Sequence, residues 1–103
     1  MFLGIKRFKD VKNVETAKKK IENELVPKLR ELPGFVAYYA VKFDNGEHGP
    51  VAIFETKENL ETAMEQGRQW LKKNLADEFP TDPEVLKGEV LFSAAGKTIA
   101  RSA

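Results

Sequence analysis

The run from Phe35 to Phe43 is apolar on both of its sides, and this constrains the fold of the chain more than any other feature. Alternate residues of a strand point to opposite sides of a sheet. One side of the run carries Phe35, Ala37, Tyr39, Val41 and Phe43; the other carries Val36, Tyr38 and Ala40. Helices packed on one side of a sheet leave the other side bare. A bare apolar side of that size exceeds what a soluble monomer usually exposes. A second copy of the chain is the expected cover.

The rest of the chain supplies the partners of this strand. Phe2 to Phe8 is rich in β-formers and reads as a first strand. Asp10 to Asn13 is turn-like, Asn13 is placed to cap a helix, and Glu15 suits its first turn. Val14, Ala17, Ile21, Leu25, Leu29 and Leu32 recur at steps of three and four, one helical stripe. Glu15–Lys19, Lys18–Glu22, Lys20–Glu24 and Glu24–Lys28 pair along the exposed side. Pro27 removes a helical hydrogen bond, which predicts a kink or a separate last turn. Leu32-Pro33-Gly34 ends the helix.

After the second strand, Asp44 to Pro50 is predicted as a loop with a strong Asn45-Gly46 turn signal. Val51 to Glu55 returns as the third strand of a hairpin. Thr56 caps a second helix whose buried stripe is Leu60, Ala63, Met64, Gly67, Trp70, Leu71 and Leu75. Pro80 and Pro83 break the following loop. Val85 to Ala94 contains the fourth strand, most clearly from Glu89 to Ser93. The order β-α-β-β-α-β predicts a ferredoxin-like α+β fold, with a four-stranded antiparallel sheet and two helices on one face. Residues 1–95 form the expected single domain, and residues 96–103 a C-terminal tail.

Charge and composition exclude several functions. The chain has 17 basic and 16 acidic residues, so no net field draws it to nucleic acid or to an anionic membrane. It has no cysteine, which excludes disulfides, thiolate nucleophiles, cysteine-bound zinc and iron–sulfur clusters. That composition suits a reducing cytoplasm, the expected location. Phe2, Leu3 and Ile5 are too short a stretch for a signal peptide, and Lys6 and Arg7 interrupt it. No window approaches the roughly 18 to 20 apolar residues that span a bilayer.

Leu32-Pro33-Gly34-Phe35-Val36-Ala37-Tyr38-Tyr39 enters the second strand from a long helix. Pro83-Glu84-Val85-Leu86-Lys87-Gly88-Glu89-Val90 enters the fourth. In both respects residues 1–95 resemble the antibiotic biosynthesis monooxygenase-like proteins of the dimeric α+β barrel superfamily. The resemblance implies a homodimer whose two sheets pack into a barrel, with a pocket between each sheet and its helices. It also implies a choice of activities: cofactor-free oxygenation of phenols, heme degradation, or ligand binding alone. The heme-degrading branch has an Asn in the first strand, a Trp in the second helix and a His about ten residues later. Here the first strand has Lys6 and Arg7 but no Asn, and Pro80 lies ten residues after Trp70. Aligned by the apolar stripe, Ala63 takes the Trp position and Lys73 or Asn74 the His position. The resemblance therefore points away from heme.

The candidate pocket residues are Tyr38, Tyr39, Trp70 and Arg7. Trp70 could stack on a flat substrate or fill the core. Tyr38 and Tyr39 point to opposite sides, so only one phenol can enter a given cavity and assist proton transfer there. Lys6 and Arg7 alternate in the same way, and one of them could hold an anionic ligand. Gly67 inside a helix suits close packing or a ligand. His48, the only histidine, reads as a solvated loop residue. No glycine-rich phosphate loop, metal-ligand cluster or nucleophile triad is present, so no cofactor and no metal are expected. Two functions remain open. One is a cofactor-independent oxygenase acting on a small aromatic substrate. The other is a non-enzymatic homodimer that binds a small ligand or serves assembly.

Overall fold

The computed structural model describes residues 1–96; the remainder of the expected tail, residues 97–103, lies outside them. The elements follow in the order β1 (Phe2–Arg7), α1 (Val14–Lys20), a π-helical stretch (Ile21–Leu25), α2 (Val26–Arg30), β2 (Phe35–Lys42), β3 (His48–Phe54), α3 (Lys57–Asn74) and β4 (Glu84–Glu89). The sheet runs β2-β3-β1-β4 with every neighbouring pair antiparallel. This is the ferredoxin-like arrangement expected of the element order, and the helices pack on one side of it.

Pro27 explains the broken first helix. A proline inside a helix has no N–H to give and crowds the carbonyl four residues back. The chain widens to a π-helical turn ahead of it and restarts with Pro27 in the first turn of α2. Ala17, Leu25 and Leu29 nevertheless stay buried along one stripe. The second helix starts where Thr56 Oγ1 accepts the Asn59 N–H at 3.0 Å. Asn13 stands at the N-terminus of α1 in a left-handed conformation, and its side chain makes no capping bond.

The core lies between the helices and the inner side of the sheet, centred on Phe54 and Leu60, which are 0% and 1% exposed. Phe35 meets Phe54 edge-to-face with ring centroids 5.6 Å apart. That contact corrects the simple alternation read from Phe35 to Phe43. Phe35 pairs with Phe54 and Ala37 with Ile53, so the register slips at a bulge around Val36. Phe35 therefore shares the inner side with Tyr38, and Ala37 and Tyr39 face out. Gly34, just before this strand, has φ +79°, and a Cβ there would strike the Asn59 side chain.

Two strand limits also differ from the sequence reading. The third strand begins at His48 instead of Val51, because the turn before it is tight. Gly46 has φ +90°, its N–H reaches the Phe43 carbonyl at 2.9 Å, and Asn45 Oδ1 accepts from the Glu47 N–H at 3.0 Å. Pairing starts directly at Lys42 and His48. The fourth strand covers Glu84–Glu89 instead of centring on Glu89 to Ser93. It pairs with β1, and Phe2, the first residue of β1, already faces Glu89. One more bond joins the Val90 N–H to the Met1 carbonyl at 2.8 Å. Beyond it Leu91 and Phe92 have no strand beside them among the described residues and are 86% and 87% exposed.

Candidate functional site

A cavity of about 640 Å³ lies between the sheet and the helices. Its origin is legible in the side chains. The floor is built of small or compact residues: Gly4 of β1, Ala40 of β2, and Pro50 and Ala52 of β3. Ala17 and Ile21 on one side and Met64, Gly67 and Leu71 of α3 on the other form the roof. Met64 packs closely over Gly4, while Ala40, Pro50 and Ala52 are too short to fill the space beneath the helices, so it stays open. Its volume lies within the range of small-molecule sites, which are apolar with few polar groups.

Three of those polar groups come from the strands. Lys6 of β1 is only 8% exposed and lines the cavity. Its Nζ donates to the Met64 carbonyl of α3 at 3.0 Å. Burial lowers the pKa of this ammonium; Glu65 opposes the shift, while Arg68 and Lys87 add to it. Tyr38 lines the same space, and burial pushes its phenol up to about 12. At neutral pH the phenol therefore keeps its proton and can donate it in a hydrogen bond. His48, the first residue of β3, also lines the cavity and is half-buried. It is a strand residue, not the solvated loop residue read from the sequence, and its backbone pairs with Phe8 in both directions. The more exposed rim includes Glu15 and Lys18 of α1, Glu22 of the π-helical stretch and Lys42 of β2.

Of the candidates read from the sequence, Tyr38 is in the cavity. Tyr39 faces the opposite side of the sheet and is 56% exposed. Trp70 packs in the core beside the cavity and does not line it, which is the packing reading of that residue. Arg7 also points away. Its guanidinium lies 3.5 Å from Glu47 and pairs closely with Glu84. Its neighbour Lys6 takes the inward position instead. The sequence could not separate these two, because the inward set Phe2, Gly4, Lys6 and Phe8 and the outward set Leu3, Ile5 and Arg7 both mix apolar and basic residues. Gly4 was the available signal, since a Cβ there would lie 2.6 Å from Met64 Sδ. Gly67 suited either close packing or a ligand by sequence, and nothing stands within 4 Å of where its Cβ would be. It widens the roof of the cavity.

Among the described residues no group of three metal-ligating side chains comes together, and no helix is long and apolar enough to cross a membrane. No protein-family model matches the chain, and no curated protein matches it by sequence. Solved structures do match it in fold. One is NE2512, a protein of unknown function from Nitrosomonas europaea, with a TM-score of 0.71, 21% identity, and 92% of this chain and 93% of that one covered. A mutant of MhuD with two manganese protoporphyrin IX molecules bound per active site gives a TM-score of 0.70 at 15% identity, covering 93% of this chain and all of that one (100%). A monooxygenase from the gene ActVA-Orf6 of Streptomyces coelicolor, in complex with nanaomycin D, gives 0.60 at 19% identity, covering 89% and 92%. Further matches include several antibiotic biosynthesis monooxygenases, and the chain shares its fold with that group.

Proposed function

We propose that the chain forms a homodimer in which each subunit holds a small aromatic molecule between its sheet and helices, and that it oxidises a hydroxylated aromatic with dioxygen and no bound cofactor. The observation that carries this reading is the open apolar cavity with Tyr38 in its lining. Direct reaction of an electron-rich phenol with dioxygen needs a dry pocket that orients the ring and manages one proton. Tyr38 is suited to the second task, because its buried phenol is protonated and can donate to a substrate oxygen. The likeness to a monooxygenase in complex with nanaomycin D agrees with the reading, at the level of fold.

The outer side of the sheet supports the dimer. It carries Leu3, Ile5, Val51 and Ile53, with Tyr39 and Leu86 at 56% and 60% exposure. Leu91 and Phe92 continue past the end of β4 and have no strand partner among the described residues. A second copy would cover both features. The cysteine-free chain suits a cytoplasmic setting for such an assembly.

Oxygen uptake by metal-free protein with hydroxylated aromatic substrates is the test. Tyr38→Phe should lose most of the activity and Tyr39→Phe should keep it. Full activity in both variants would remove Tyr38 from the mechanism. If no substrate reacts while aromatic ligands still bind, the chain is a binding module on the same cavity.

A further inference from the structure

We infer that Lys6 is the charge anchor of this cavity, so that the ligand presents an ionised oxygen on a flat apolar body, as an acidic phenol or enol does. The inference rests on the cavity being a ligand site and narrows what that ligand is.

Lysines usually carry their ammonium out to water along an apolar stem. The other lysines of the inner side do this. Lys42 is exposed at the rim, and Lys87 reaches Glu61 at 3.5 Å on the surface. Lys6 instead is 8% exposed and turns under α3 to the Met64 carbonyl. An ammonium has three N–H donors, and among the described residues this is the one hydrogen bond its Nζ makes. No carboxylate among those residues lies within 4.0 Å of it. A buried charge without a counter-ion is costly. An anionic ligand oxygen supplies the missing partner.

The space needed for that oxygen is present. Gly67, one helical turn after Met64, lines the cavity without a side chain, and nothing stands within 4 Å of where its Cβ would be. The body of the ligand would then lie over Ala52 and Ala40 toward Tyr38, all on the inner side. The charged and titratable groups around this position are Glu65 and Arg68 of α3, Lys87 of β4, Tyr38, His48, and the rim residues Glu15, Lys18, Glu22 and Lys42. Glu65 is the acidic group facing Lys6, but its carboxylate is already engaged on the surface by Arg68 at 2.6 Å and Gln69 at 3.0 Å.

Binding of para-nitrophenol and of its neutral analogue para-nitrotoluene to the full chain tests the assignment. A hydrogen bond to a charged group corresponds to about 10- to 100-fold in affinity. At a pH where the free phenol is ionised, the phenolate should bind tighter than nitrotoluene by about that factor. Lys6→Met should still bind nitrotoluene and lose the preference. A second readout needs no variant: the bound phenol should stay in its yellow ionised form at a pH about one unit below that at which it bleaches in water, an about 10-fold bias toward the anion. Equal affinity for the two probes, a preference retained in Lys6→Met, or an unchanged bleaching pH would each overturn the anchor. Para-nitrobenzoate binding tighter than the phenolate would overturn the phenol or enol class, and weaker binding supports it. Nitrotoluene that binds without any phenolate preference removes the anchor and leaves the cavity reading standing. If no probe binds at all, the cavity reading itself fails.

Discussion

The two sides of the one sheet are made of similar residues and present opposite surfaces. On the inner side Phe54, Leu60 and Trp70 close a core next to a cavity floored by Gly4, Ala40 and Ala52. On the outer side lie Leu3, Ile5, Val51, Ile53, Tyr39 and Leu86, and among the described residues no helix packs on that side. Apolar side chains alone therefore do not say which side binds a ligand. What separates the sides is size and charge. Small residues facing helices leave a walled space with Lys6 and Tyr38 in it. Large residues facing nothing make a surface that calls for another surface.

The largest break in this contrast should come from Ile53→Lys. A charge at the centre of the outer side faces no core residue of its own subunit, so the fold should survive while the assembly does not. Each large apolar side chain buried there contributes on the order of 1.5 to 3 kcal/mol before the costs of association. Light scattering should show a monomer or an insoluble chain. A dimer of unchanged stability would place the contact elsewhere.

A smaller effect should come from alkali. The Tyr38 phenol is raised to about 12 from a usual value of 10.0 by burial. The folded state thus holds this proton more tightly than the unfolded state. The stability is fully present below about pH 10 and falls as the pH rises toward about 12. At about 1.4 kcal/mol per unit, the loss is at most about 3 kcal/mol. Denaturant unfolding as a function of pH should show a decline over that range, shallower in Tyr38→Phe. Identical alkaline profiles in both proteins would mean that the phenol is solvated.

The smallest effect in stability sharpens the comparison most. Gly67→Leu replaces a helix-interior glycine by a good helix former and extends into open space. It should raise stability by about 1 kcal/mol and abolish binding of aromatic probes, with the mass of the assembly unchanged. A destabilised variant that still binds would show that Gly67 serves packing.

Much of this fold was legible in the chain. The stripe from Val14 to Leu32, the Thr56 cap and the Asn45-Gly46 turn are local signals, and each appears in the structure at its residue. Pro27 announced the break in the first helix, though not its π-helical form. The site was less legible because it depends on pairing across the sheet. The sense of β1, which turns Lys6 inward and Arg7 outward, is set by its register with Ala52 and Phe54 of β3. The bulge at Val36 shifts one end of β2 against the other without a glycine or proline to mark it. The limit of β4 is fixed by where β1 begins, more than eighty residues earlier in sequence.

A crystal structure of the protein grown with para-nitrophenol tests the account most directly, because it reads both sides of the sheet at once. The account predicts the phenolate oxygen within hydrogen-bond distance of Lys6 Nζ beneath α3, and a second copy of the chain covering Ile5, Val51 and Ile53. A ligand bound on the outer side, an inner cavity closed by its own side chains, or an outer side left bare to solvent would contradict it.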